Sequence, residues 1–213
     1  MKTAFLAALA LLTFGCLPGA APAQEVRARQ NLEYRLIAPQ PVETGERIEV
    51  IDFFWYGCPY CNDLQPALDE WIRRKPADVE VRRIPVILRD TWAPHARIYY
   101  TLELLGEADR LHAQVYRSYH TELLHMSKPD VMEQWAVKHG IDRRRWLDAY
   151  YSPEVDARIA RAAQATRRYE VQGTPTVVVD GRYLTSSSMT PTVRGVLPVV
   201  DDLVRLARER RGQ

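Results

Sequence analysis

The 213-residue chain is long enough to bury a sizeable core, and its 29 Lys and Arg against 27 Asp and Glu leave a formal charge of only +2. Such a balance carries no nucleic-acid signature: the basic clusters at 143–145 and 208–211 lie close to acids or in expected helix ends and read as solvated faces. Three cysteines are too few for the disulfide framework of a small secreted scaffold.

The amino terminus reads as a secretory signal peptide. Met1-Lys2 is followed by an uncharged stretch to Leu17 that is too short to span a bilayer, and Ala21-Pro22-Ala23 supplies a small-x-small cleavage signal. Cleavage after Ala23 would start the mature chain at Gln24 and remove Lys2 and Cys16. Gly15 before Cys16 suits a lipoprotein signal, but Thr13 and Phe14 suit it poorly, so lipid anchoring at Cys16 is the less favoured reading. No later segment is apolar enough for a membrane span.

Residues 33–37 and 48–56 read as strands, the second mostly apolar and therefore expected in the middle of a sheet. A helix is expected over 59–74, kinked by Pro66, and a further strand over 79–88, where Pro85 is best tolerated at an edge. From residue 93 to about 170 the pattern turns helical, with start signals at Ser127, Asp142 and Ser152-Pro153 and a stop at Gly140. Strands over 176–180 and 182–185 are joined through Asp180-Gly181, a hairpin signal, and a last amphipathic helix begins near Pro198. The chain shows no internal repeat, low-complexity segment or flexible linker. Order β-α-β, then a helical insertion, then a hairpin and a helix, makes an α/β protein.

The chemistry lies in Phe53-Phe54-Trp55-Tyr56-Gly57-Cys58-Pro59-Tyr60-Cys61. An apolar strand delivers two cysteines, three positions apart, to a helix start. The unpaired N–H groups and macrodipole there favour a thiolate at Cys58, and Cys61 stands one turn on, placed to close a disulfide. A C-x-x-C pair alone also suits metals. Structural zinc needs two more ligands, and His95, His112, His120, His125 and His139 all fall in the helical insertion, where surface or core histidines are the ordinary reading. Copper(I) on two thiolates stays open. Asp52 lies in the apolar strand, where burial would raise its pKa and suit it to take the proton of Cys61; a solvated position or an ion pair is the alternative. Gly173-Thr174-Pro175 precedes a strand, and Pro175 is read as a strand's first residue, a cis turn or an ordinary trans loop proline.

Together the run 53–61, the opening Trp92-Ala93-Pro94-His95-Ala96-Arg97 of the helical insertion, and Gly173-Thr174-Pro175-Thr176 resemble the DsbA family of exported thiol:disulfide oxidoreductases. The resemblance covers nearly the whole mature chain. It implies a thioredoxin fold with an inserted helical subdomain: a thioredoxin-like part over 24–92, the insertion over 93–170, and a second thioredoxin-like part over 171–213. It also implies an exposed nucleophile at Cys58, a more buried resolving thiol at Cys61, a cis Thr174-Pro175 peptide facing them, and Asp52 as the family's buried acid. Substrate peptides would dock beside Pro59, Tyr60, Thr174 and Pro175. Two residues depart from the pattern. Tyr60 stands where members carry His, so the disulfide is expected to be less oxidising, and Gln65 stands where the best-known members carry an acid.

The expected function is a periplasmic disulfide donor to reduced exported proteins, reoxidised by a DsbB-type membrane partner, monomeric, and needing no cofactor or metal. An isomerase or reductase is the runner-up. Family isomerases dimerise through an extra amino-terminal domain, and about 25 residues between Ala23 and the strand at Ile48 are too few for one. A copper chaperone or a folding chaperone is the reading from a different class.

Overall fold

The computed structural model describes residues 28–212, so the expected signal peptide, its cleavage site and Cys16 lie outside the described residues. Within them the strands are β1 (Arg35–Leu36), β2 (Ile48–Phe54), β3 (Val79–Pro85), β4 (Thr176–Val179) and β5 (Tyr183–Ser186). The helices are α1 (Pro59–Arg74), α2 (Ala93–Leu104), α3 (Ala108–His120), α4 (Pro129–Lys138), α5 (Arg143–Tyr150), α6 (Pro153–Arg168) and α7 (Val196–Arg211). The sheet runs β1-β5-β4-β2-β3, with β2 and β3 parallel and the other pairs antiparallel. This is a thioredoxin-like α/β fold with a block of helices inserted between β3 and β4.

Period-2 alternation along β2 divides the interior in two. Ile51 and Phe53 face the helical block and pack with Ile98, Leu102, Leu111 and Trp146. Ile48 and Val50 face the other way, onto Leu64, Leu68 and Trp71 of α1 and Val200 and Leu203 of α7. Each such side chain, fully buried, contributes about 1.5–3 kcal/mol, so the sheet is held from both sides. Asp52, two residues after Val50, falls by the same alternation on the α1 side.

Local chemistry explains most element ends. Pro59 at the first helical position starts α1, since its missing N–H would have no partner there, and Arg73 and Arg74 complement the carboxyl end before Lys75-Pro76 stops it. Pro66 lies inside α1 as expected. Asp142 and Ser152 cap α5 and α6 by accepting from the Arg145 and Val155 amides at 2.9 and 3.2 Å. Asp180 and Gly181, both at positive φ, turn the β4–β5 hairpin, and a Cβ on Gly181 would run into the Gln40 carbonyl. Pro85 ends β3, the edge strand, where no neighbour needs its N–H.

Four expectations are corrected. The first strand shrinks to two residues, because only Arg35 and Leu36 find partners on β5 and the chain before them turns at Asn31. The next two stop at Phe54 and Pro85, short of 56 and 88, as the backbone leaves the sheet for the site loop and for the helical block. Ser127 does not cap α4: Lys128 occupies that position ahead of Pro129, and the Ser127 hydroxyl faces His95 Nε2 at 3.4 Å. The last helix starts at Val196 rather than near Pro198, led in by a turn that Thr192 caps; Pro198 sits in its first turn, where a missing N–H costs nothing.

Candidate active site

β2 ends at Phe54, and after three loop residues the chain enters α1 with Cys58 at the N-cap. The loop between them is tight. The Cys58 amide donates to the Trp55 carbonyl at 3.0 Å, and a Cβ on Gly57 would collide with the Trp55 indole. Trp55 is itself pinned, stacked on Trp92 from the helical block with ring centroids 4.0 Å apart and planes 2° from parallel. From the other side comes the loop before β4, where the Thr174–Pro175 peptide is cis and the Thr174 carbonyl accepts from the Cys58 thiol at 3.3 Å.

Cys58 and Cys61 are free thiols in this structure, and they differ sharply in acidity. Cys58 is lowered to about 6. The Cys61 thiol donating to its sulfur is the largest cause, the Thr174 hydroxyl the next favourable one, and the amides of Cys61 and Tyr60 in the first turn of α1 add to them against the cost of burial. Cys61 moves the opposite way, raised well above the usual thiol range, first by burial, then by its bond to Cys58 and by the negative charges of Cys58 and Asp52. One proton is shared unequally between two sulfurs, so they titrate as a pair.

The exposure expected from the family pattern is corrected. Cys58 is 6% exposed and Cys61 3%, because the Thr174 carbonyl and the site loop cover the first sulfur. The ranking holds, but neither thiol is open. The exposed groups at the site are Pro59 and Tyr60, the latter 58% exposed; Thr174 is half-buried and Pro175 buried.

Asp52 is buried, and burial raises its pKa to about 7, against the attraction of Arg83 and with a smaller push from Asp69. Its Oδ2 finds no hydrogen-bond partner among the described residues. The Asp52 charge acts on Cys61, so the structure brings the dithiol and the acid into one electrostatic unit. Gln65, also buried, donates to Asp69 Oδ1 at 2.8 Å.

Sequence reasoning missed the support under the loop. Tyr56 shares a 2.8 Å hydrogen bond through its hydroxyl with His112 Nδ1, and its carbonyl accepts from His120 Nε2 at 2.8 Å. Phe54, Tyr99 and Tyr116 close round His112 edge-on, with ring centroids 4.9 to 5.9 Å away. Burial, with the charge of Arg83, holds His112 well below the usual imidazole range, and burial lowers His95 to about 4. These rings are neutral supports that tie the helical block to the dithiol loop. Among the described residues no group of three or more His, Cys, Asp or Glu is placed to hold a metal, and no helix is long and apolar enough to cross a membrane.

A sulfur that ionises readily beside one that holds its proton suits the exchange of a disulfide with another pair of thiols. Carried on this sheet, it defines a thioredoxin-like thiol:disulfide oxidoreductase. A family model described as "DSBA-like thioredoxin domain" matches residues 49–197. The chain is similar to the thiol:disulfide interchange protein DsbA of Bordetella pertussis, 32% identical over 209 residues, covering 98% of this chain and 99% of that one. It is similar to the Azotobacter vinelandii protein of the same description, 31% identical over 206 residues, with 96% and 95% covered. The crystal structure of Pseudomonas aeruginosa DsbA matches with a TM-score of 0.83 at 29% identity, over 87% of this chain and 97% of that one. The chain belongs to the DsbA-like thioredoxin-domain family.

Proposed function

We propose that this oxidoreductase donates a Cys58–Cys61 disulfide to reduced proteins exported to the periplasm. A substrate thiolate attacks Cys58 Sγ, the Cys58–Cys61 bond breaks, and the electron pair leaves on Cys61, which takes up a proton. A second substrate thiolate then attacks the substrate's own sulfur in the mixed disulfide and expels Cys58 as a thiolate. The substrate loses two electrons and the dithiol gains them. In the reverse sense Cys61 gives its proton to Asp52, attacks Cys58 and frees a stalled substrate. Pro59, Tyr60, Thr174 and Pro175 border the sulfur and receive the substrate chain.

The single observation that carries this reading is the split acidity of the pair, Cys58 lowered to about 6 and Cys61 pushed up. A good leaving thiolate at Cys58 favours handing the disulfide on. Tyr60, in place of the family's His, favours the runner-up, a reductase or isomerase, because it removes a donor from the Cys58 thiolate. The mature chain on this reading starts at Gln24, acts as a monomer and is reoxidised by a DsbB-type membrane partner. Its parts are residues 24–92, 93–170 and 171–213, boundaries supported by the start of α2 at Ala93 and of β4 at Thr176.

Replacing Cys58 with Ser tests the assignment. Oxidation of a reduced test protein should be abolished, whereas Cys61→Ala should trap mixed disulfides visible on a non-reducing gel. Retained oxidation by Cys58→Ser would overturn it.

A further inference from the structure

Cys61, Gln65 and Asp69 recur every four residues along α1 and so share one face of the helix, running from the buried thiol outward to a side chain that is 31% exposed. At its outer end that face meets Arg83. The guanidinium donates to Asp69 Oδ1 at 2.9 Å, the same oxygen that accepts from Gln65, and lies 3.8 Å from Asp109 Oδ1 at the start of α3. Arg83 pairs in register with Asp52 on the neighbouring strand, so the two side chains leave the same face of the sheet. Arg83 Nε and Asp52 Oδ2 are both buried and without a partner among the described residues.

We infer that Asp69 is a positioning residue for the proton chemistry of the dithiol: it draws the Arg83 guanidinium to the outer end of α1, away from full pairing with Asp52, and thereby decides when Asp52 can take the Cys61 proton. The inference rests on the proposal that Asp52 is the proton partner of Cys61.

The geometry offers Arg83 three acids: it donates to Asp69, and Asp109, fully exposed, lies 3.8 Å away without a hydrogen bond. Direct pairing with Asp52 would lock that carboxyl in its charged form and leave it no capacity to cycle. With Asp69 holding the cation, Asp52 stays poised. The groups acting on Asp52 come from each element against it: Arg83 from β3, Cys61 and Asp69 from α1, and Tyr116 from α3, while β4 places Val177 opposite it. Arg83 is the cation among them and Asp69 its nearest counter-charge. Gln65 fixes the Asp69 carboxylate from the buried side, which is how a neutral residue serves at that position.

The test follows the escape step alone. Protein carrying glutathione in mixed disulfide with Cys58 releases it when Cys61 loses its proton to Asp52 and forms the Cys58–Cys61 bond; the release rate is measured against pH. Asp69→Asn frees Arg83 to act on Asp52, favours the carboxylate, and should move the acidic limb to lower pH, with release about threefold or more faster on that limb. Arg83→Met should move the limb the opposite way, and Asp69→Glu should restore it. Opposite charges shift Asp52 in opposite directions by their fields alone, so the Asp69→Asn/Arg83→Met double variant decides: if Asp69 acts through Arg83, Asp69→Asn moves the limb little once Arg83 is gone, and an undiminished shift overturns the inference. Asp52→Asn separates the two layers of argument. If Asp52→Asn removes the limb while Asp69→Asn and Arg83→Met leave it in place, the inference is overturned and the role of Asp52 stands. If Asp52→Asn leaves the limb unchanged, the role of Asp52 fails first. Should Asp69→Asn not fold, Asp69→Ser takes its place in the same comparison.

Discussion

Two buried aspartates at opposite ends of the central strands show how one residue type is put to different use. Asp180, at the β4–β5 turn, has a fully covered side chain, and the carboxyl end of α7 closes on it: Arg210 pairs with Oδ2 at 2.8 Å and Arg211 with Oδ1. Asp52, equally covered, has a cation on the next strand that turns instead to Asp69, and one of its oxygens has no partner among the described residues. A fully paired buried acid fastens the hairpin to the last helix. An unpaired one sits at about 7, where it can gain or lose a proton near neutral pH. The difference lies in where the arginines point, not in burial.

Substitution at the two positions should therefore separate stability from chemistry. Asp52→Asn removes a carboxyl whose pKa is higher folded than unfolded. Such a group binds more protons in the native state, so the stability it contributes falls as pH rises from about 4 to about 7 and stays low above that. The variant should be more stable than the parent by roughly 2–4 kcal/mol at pH 8, with little difference at pH 4, and slower in Cys61-dependent release. Urea denaturation at the two pH values reads this; equal effects at both would contradict it. Asp180→Ala should do the reverse, losing about 1–3 kcal/mol by leaving two arginines without their acid while the folded protein keeps its thiol chemistry. A loss of activity at temperatures where the variant is folded would blur the contrast. The smallest expected effect sits at the rim. Tyr60→His restores a donor beside the Cys58 thiolate, should move its titration, followed by thiolate absorbance, below about 6, and should raise the reduction potential by on the order of 30 mV, equivalent to about 1.4 kcal/mol for two electrons.

What could be read from the sequence is what neighbours in the chain decide. Pro59 and the Arg73-Arg74-Lys75-Pro76 run bound α1, Asp142 and Ser152 cap their helices, and Asp180-Gly181 makes the hairpin, each through contacts within a few residues. The dithiol was legible for the same reason. What escaped depends on distant partners. His120 reaches the Tyr56 carbonyl across 64 residues and Trp92 stacks on Trp55, so no local pattern could announce them, whereas the Thr174–Pro175 peptide against Cys58, 116 residues away, was expected only through the family resemblance. Ser127 misled because a good capping residue followed by Lys128-Pro129 yields to the proline's own preference for the first turn. Gln65 read as a lost acid, whereas its amide in fact bridges to Asp69 one turn on.

The most direct measurement is the equilibrium reduction potential of the Cys58–Cys61 pair against glutathione. A Cys58 thiol at about 6, held down by its neighbour, Thr174 and the α1 amides but lacking the family's His, predicts a potential between about −120 mV, typical of the most oxidising dithiols of this family, and about −230 mV, the lower end for glutaredoxins. A value near or below about −270 mV, that of thioredoxin, would contradict a disulfide donor and make the pair a reductant.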